Sequence, residues 1–512
     1  MAPILEKYKD PLPIPKVIKP AETKNGHPYY EIEMKEFYQN LHSDMPNTKV
    51  WGYNGSYPGP TIEANSDEPI YVRWINKLPD KHFLPIDKTI HGAMDNPEVR
   101  TVVHLHGLNV NPESDAFPDD WYIPGKSALF HYPNKQQAAT LWYHDHAIGI
   151  TRLNVYAGLS GFYFIRDNNE RSLNLPSGKY EIPLLIQDRD FNDDGSLSYP
   201  APNINGVEPS IVPGFFGNYA VVNGAVWPYL TVEPRKYRFR ILNGSNARNY
   251  NLRFSGEEGQ ILPAMNQIGS DGGFLERPAK LNSLSLEPAE RADIIIDFTG
   301  LENNTYTLIN DSVPPFGVPL PEIMQFRVND ATVKDKSVLP RKLNRIPSYN
   351  IKKAKQRFIE IFVGQDGYNR LMFMLENKTW TDPVTIKVEL GSTEVWNIIN
   401  TGAGAHPIHV HLVQFQILSR QPFDVVKYTS TGKIKFIGPP VLPDENERGW
   451  KDTVRAEPGR VTRFIARFGD FTGIYPFHCH ILEHEDHDMM RPFEVIETEC
   501  ICPDEKGQFL GF

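Results

Sequence analysis

The chain has 512 residues, a net charge of −10, 40% hydrophobic residues, 44 Pro and 37 Gly. The length suits about three domains, the apolar share supplies several cores, and the acidic balance argues against a nucleic-acid groove. The N-terminus is charged and lacks an apolar run, so neither a secretion signal nor a membrane span is expected, and three Cys are too few for a disulfide scaffold, which fits a reducing compartment.

In chain order, the first strong pattern is Tyr57-Pro58-Gly59-Pro60-Thr61-Ile62 followed by Tyr71-Val72-Arg73-Trp74-Ile75-Asn76. It reads as a strand, a polar turn and a second strand ending in Asn. The pattern returns at Trp227-Pro228-Tyr229-Leu230-Thr231-Val232 with Tyr237 to Asn243, and at Asp382-Pro383-Val384-Thr385-Ile386-Lys387 with Val395 to Asn400. A repeat of about 160 residues is far longer than a solenoid unit and suits a duplicated β domain. Glu287 to Phe298 and Glu457 to Phe468 also match each other, each as a turn and then an alternating strand. The predicted domains are 1–168, 169–329 and 351–512. The linker is 330–350, where Asp, Lys, Arg and Pro crowd together without alternation.

Ten of the 16 His fall into four motifs: His104-Leu105-His106, His144-Asp145-His146, His406-Pro407-Ile408-His409-Val410-His411, and His478-Cys479-His480 with His484 and Met489 behind it. No His lies between His146 and His406, so the middle repeat reads as a spacer and folding must bring the two ends together. On a strand, side chains alternate across the sheet. Cys479 then faces away from His478 and His480, and one strand serves two sites back to back. Pro407 breaks the alternation, so His406 can join the Cys479 side while His409 and His411 face the other. A thiolate, imidazoles and a thioether suit a copper electron-transfer site. Met490 rivals Met489 for the thioether, and His487 has no assignment. Eight imidazoles remain on the other side: His104, His106, His144, His146, His409, His411, His478 and His480. That is too many for one ion and fits a cluster of three. Taken singly, each motif has a plainer reading: a strand with exposed imidazoles, a zinc half-site, a buried thiol.

Together the motifs resemble those of multicopper oxidases, most closely the bacterial spore-coat laccases. The likeness covers most of the chain and fades in the N-terminal arm, around 330–360 and after about residue 498. It implies an all-β protein of three cupredoxin-like Greek-key barrel or sandwich domains and four coppers. By that resemblance His406, Cys479, His484 and axial Met489 hold the type 1 copper, His104 and His409 the type 2 copper, and His106, His144, His146, His411, His478 and His480 the type 3 pair. The implied reaction is one-electron oxidation of phenols, aromatic amines or bile pigments coupled to four-electron reduction of dioxygen to water. Asp115 resembles the family's acidic residue near the type 2 site. Glu485, beside His484, is placed to relay protons. Partners expected are dioxygen, small aromatic reductants and spore-coat proteins, with synthesis in the cytoplasm and a final place in the spore coat. Bilirubin oxidase, a Cu(I) or Mn(II) oxidase, and a coat component with degenerate copper sites are the competing readings. Ten Met and no Met-rich insert argue against a dedicated cuprous oxidase. Cys500 and Cys502 read as free thiols, and Phe216 stands where some relatives have a half-cystine.

Overall fold

The computed structural model describes residues 2–94, 96–314 and 318–497. Cys500 and Cys502 lie outside them. The described residues form six β-sheets that fall into three pairs along the chain. Strands from Glu22 to Arg166 make a five-stranded and a four-stranded sheet. Those from Glu181 to Val328 make an eight-stranded and a five-stranded sheet, and those from Lys355 to Ile496 make two five-stranded sheets. Helices are short, reaching seven residues at Thr151–Ala157 and Val425–Thr431. No helix among the described residues is long and apolar enough to cross a membrane. The fold is all-β.

The sequence repeat corresponds to one construction built three times. A long strand pairs in parallel with the second strand of the motif: His27–Gln39 with Ile70–Lys77, Glu181–Phe191 with Lys236–Asn243, and Lys355–Gln365 with Thr393–Asn400. The first strand of each motif belongs to the opposite sheet, at Gly59–Asn65, Tyr229–Val232 and Ile386–Glu389. That crossing closes two sheets over a shared core. The terminal Asn has a common task. Oδ1 of Asn76, Asn243 and Asn400 accepts from the backbone N–H two residues on, at Leu78, Ser245 and Gly402. The Nδ2 groups donate to carbonyls of Tyr122, of Arg248 and Leu286, and of Gly404 and Ala456. All three side chains are fully buried or nearly so. An apolar residue there would leave buried backbone groups unmet.

Residues 330–350 carry no strand or helix but are tied to the middle unit. Asp335 accepts from Arg235 and the Lys236 backbone, Val338 N–H donates to Asn174, and Leu343 is buried. One continuous core runs through the first two units, while the third packs around Trp396, Phe464 and Phe477. A carboxylate joins the outer units. Asp486 accepts from the N–H groups of Thr151 and Arg152, the first turn of helix Thr151–Ala157, and from the Arg152 guanidinium.

Candidate metal centre

Strand register assembles the histidines. In the first unit Val103–His106 runs antiparallel to Ala139–Asp145, with His104 opposite His144. In the third, His406–Val410 runs antiparallel to Gly473–Cys479, with His409 opposite His478 and Ile408 opposite Cys479. Residues 104–146 and 406–480 meet at the junction of these sheets. Three triads result: His104, His106 and His409; His106, His144 and His480; and His146, His411 and His478. Within the last, the Nε2 atoms lie 3.2, 3.2 and 3.3 Å apart. Three nitrogens about 2 Å from one ion, the usual imidazole–metal distance, have edges of this size.

On the far face of the strand, Cys479 Sγ lies 3.6 Å from His406 Nδ1 and 3.7 Å from His484 Nδ1. The strand ends at Cys479, and the short helix Leu482–Asp486 turns His484 back toward the sulfur. Met489 packs in the same core as Cys479, whereas Met490 joins Ile148 and Trp380 in another. The Met489 carbonyl accepts from Cys479 N–H at 3.0 Å, and Met489 N–H donates to His484 at 2.8 Å.

The donor set fits copper. The eight imidazoles facing the first unit are buried. His104 Nε2, His106 Nδ1, His144 Nε2, His409 Nε2 and both nitrogens of His480 have no hydrogen-bond partner among the described residues. Such a set of orphaned nitrogens is costly unless a cation takes their lone pairs. Burial, then the neighbouring imidazoles, keeps His104, His144 and His146 neutral, with the pKa of His144 lowered to about 3. Burial alone lowers that of His406 to about 4. Burial also pushes the Cys479 thiol up, so a thiolate there requires a bound cation.

Carboxylates and carbonyls orient the rings. Asp115 Oδ2 accepts from His411 Nδ1 at 2.8 Å, and the Asp115 carbonyl accepts from His104 Nδ1 at 2.8 Å. Glu485 lies 3.2 Å from His146 Nδ1 and 3.0 Å from His478 Nδ1, close but not aligned for hydrogen bonds. Sequence reasoning missed Asp452. Its Oδ1 lies 3.1 Å from His106 Nε2, its carbonyl accepts from His409 Nδ1 at 2.8 Å, and Arg291 of the middle unit donates to it at 2.7 Å. A lone Asp in Trp450-Lys451-Asp452-Thr453 carries no local pattern that would single it out. The middle unit supplies no imidazole, yet it reaches both centres: the carbonyl of exposed Pro213 lies 2.8 Å from His484 Nε2. His27, His42, His82, His91 and His131 stand outside these groups, and His487 pairs with Asp366 at 3.1 Å. At Phe216, the Arg248 guanidinium lies 5.5 Å over the ring.

Comparison with known proteins places this geometry. The multicopper oxidase family model matches residues 37–98 and 93–170, 195–319 and 348–499. A laccase of Bacillus subtilis (strain 168) is 50% identical, the match covering 96% of this chain and 99% of the relative. A laccase of Haloferax volcanii is 42% identical over 96% and 86% of the two chains. Among solved structures, laccase from Pediococcus acidilactici superposes with a TM-score of 0.78 at 28% identity, over 96% and 95% of the chains.

Proposed function

This chain belongs to the multicopper oxidase family, and we propose that within it the protein acts as a laccase, coupling one-electron oxidation of phenols, aromatic amines or related small reductants to four-electron reduction of dioxygen. It is a copper oxidoreductase, and its family implies four ions, one type 1, one type 2 and two type 3. When bound, these ions supply the one-electron steps and together hold the four electrons that dioxygen needs to become water.

His406, Cys479 and His484, with Met489 beside them, would hold type 1 copper. His104 and His409 would hold type 2. The triads His106, His144, His480 and His146, His411, His478 would hold the type 3 pair. The observation that carries this reading is the end of one strand. Cys479 faces one site while His478 and His480 face the other, so a single peptide unit joins them. Asp115 fixes the rings of His411 and His104 so that Nε2 of each points inward. Burial holds the Asp115 carboxyl far above the usual carboxylate range, so it can keep a proton beside the cluster. Glu485, between His146 and His478, is the second group placed to hold one.

The donor end supports an organic reductant. The Phe373 ring lies 4.2 Å from that of His484 and 5.0 Å from that of His406. This aromatic contact, with Pro213 against the His484 edge, favours aromatic donors over Mn(II) or Fe(II). With a phenol as donor, oxygen-electrode and colorimetric assays should find four phenols oxidised per dioxygen without hydrogen peroxide. Peroxide as the product, or faster turnover of Cu(I) or Mn(II) than of any phenol, would refute the reading.

A further inference from the structure

The edge of the third unit carries apolar surface left outside its core. Past the edge strand Phe415–Pro422 the chain forms the helix Val425–Thr431 and returns beside the end of the same strand as residues 435–441. Backbone bonds hold the return. Arg420 and Val441 exchange N–H···O bonds of 2.8 Å, Ile437 N–H donates to Pro422 at 3.0 Å, and Asp424 N–H donates to Lys435 at 2.9 Å. The inner row, Val425, Tyr428 and Ile434, packs on buried Ile399, Phe423 and Val461. The outer row is Val426, Phe436, Ile437, Val441 and Leu442, with Val426 79% and Leu442 66% exposed. A lone exposed apolar side chain is ordinary, but five within residues 426–442 on a pinned backbone form a patch of the kind that marks a contact surface. Charge on this segment has one sign. Lys427, Lys433 and Lys435 are exposed, and no carboxylate occurs between Asp424 and Asp444, although the chain as a whole carries −10. Asp424 is engaged as the helix cap, accepting from Lys427 N–H at 3.0 Å. Beyond the segment, Glu447 is held by Arg420 at 2.6 and 2.8 Å.

We propose that this patch docks the protein on an anionic lipid surface, with the outer row entering the acyl boundary and the three ammonium groups meeting lipid phosphates. Composition favours a lipid over a protein partner. Protein interfaces are rich in aromatic residues and Arg and poor in Lys. Residues 425–443 hold three Lys and no Arg, and the outer row is four aliphatic side chains and one Phe. A lysine stem lies along apolar surface while its charged head stays in the polar layer, as a headgroup zone requires. Each Lys near such a surface contributes about fivefold in partition, and the aliphatic side chains add an attraction that salt does not screen. The patch rests on the surface rather than spanning it, since no helix among the described residues is long and apolar enough to cross. None of the candidate copper ligands lies within residues 425–443, so docking leaves both metal sites untouched.

The test sediments the copper-loaded chain with extruded vesicles of phosphatidylcholine, alone or mixed with phosphatidylglycerol. At about 0.1 M salt the parent chain should partition into the anionic vesicles at least about tenfold better than into the neutral ones, and the preference should shrink as salt rises. Lys427→Gln, Lys433→Gln and Lys435→Gln together should lower partition into the anionic vesicles by on the order of 100-fold. Ile437→Asp with Leu442→Asp should abolish it. Blue absorbance per chain and dioxygen uptake with ferrocyanide should match the parent in both variants, since every changed side chain is exposed. Equal partition into the two vesicle types, no sedimentation with either, or variants that sediment like the parent would overturn the proposal. So would retention on polyglutamate of a chain that ignores both vesicle types, which would assign the patch to an acidic protein.

Discussion

In the proposed laccase reading, single side chains divide the work between the donor end and the dioxygen end. The Glu485 carboxylate lies against His146 and His478, both assigned to the dioxygen side, so Glu485→Gln should separate the half-reactions. Stopped-flow mixing with dioxygen should show reoxidation slowed by about 100-fold, while anaerobic bleaching of the blue colour by a phenol proceeds at the parent rate. Equal slowing of both halves would remove Glu485 from proton delivery. Glu287 makes a different prediction, about stability. Burial raises its carboxyl from 4.5 to about 7, Arg455 opposing and Glu290 adding. Between those values the folded chain keeps a proton that the unfolded chain has released. Its contribution is therefore full below pH 4.5 and lost as pH rises through 7. Glu287→Gln removes the titrating group, so urea midpoints should fall less steeply across that window, by on the order of 3 kcal/mol in all. An unchanged slope would mean that Glu287 is not protonated in the fold.

At the level of strands, the repeat was legible because its signals are local: period-two alternation, Pro before the first strand and Asn at the end of the second. The buried Asn turns now account for that residue. Asn243→Ala strips three hydrogen bonds from backbone groups in the core. It should cost about 1–3 kcal/mol, read as a lower urea midpoint. A midpoint within error of the parent would mean that water meets those groups instead. The four histidine motifs were legible for the same reason, since alternation alone sorts Cys479 from His478 and His480. What the sequence could not show depends on pairing between distant strands. The split of six type 3 candidates into two triads follows from His104 standing opposite His144 and His409 opposite His478. Asp452, Arg291 and the Pro213 carbonyl enter the site through contacts between units, for which no single segment carries a pattern. The middle repeat, with no histidine, read as a spacer, yet Pro213 meets His484 directly and Arg291 reaches His106 through Asp452.

On the scale of the whole molecule, the ligands come from both ends of the chain, so copper should act as a clamp between the outer units. The folded chain offers preassembled neutral imidazoles and the unfolded chain does not, so binding favours the fold by mass action. Removing copper with a chelator should lower Tm by several degrees, and free copper at about 1,000 times Kd should restore about 4 kcal/mol. A Tm indifferent to copper, followed by scanning calorimetry, would mean that contacts such as Asp486 with Thr151 and Arg152 hold the junction unaided. The strand end at Cys479 joins a sulfur site to a histidine cluster drawn from both ends of the chain. Anomalous diffraction at the copper edge, on crystals of the loaded chain, locates each ion. One peak is expected bounded by His406, Cys479 and His484, and three among His104, His106, His144, His146, His409, His411, His478 and His480. A map with no peak at Cys479, or with a single ion among the eight imidazoles, would contradict that arrangement.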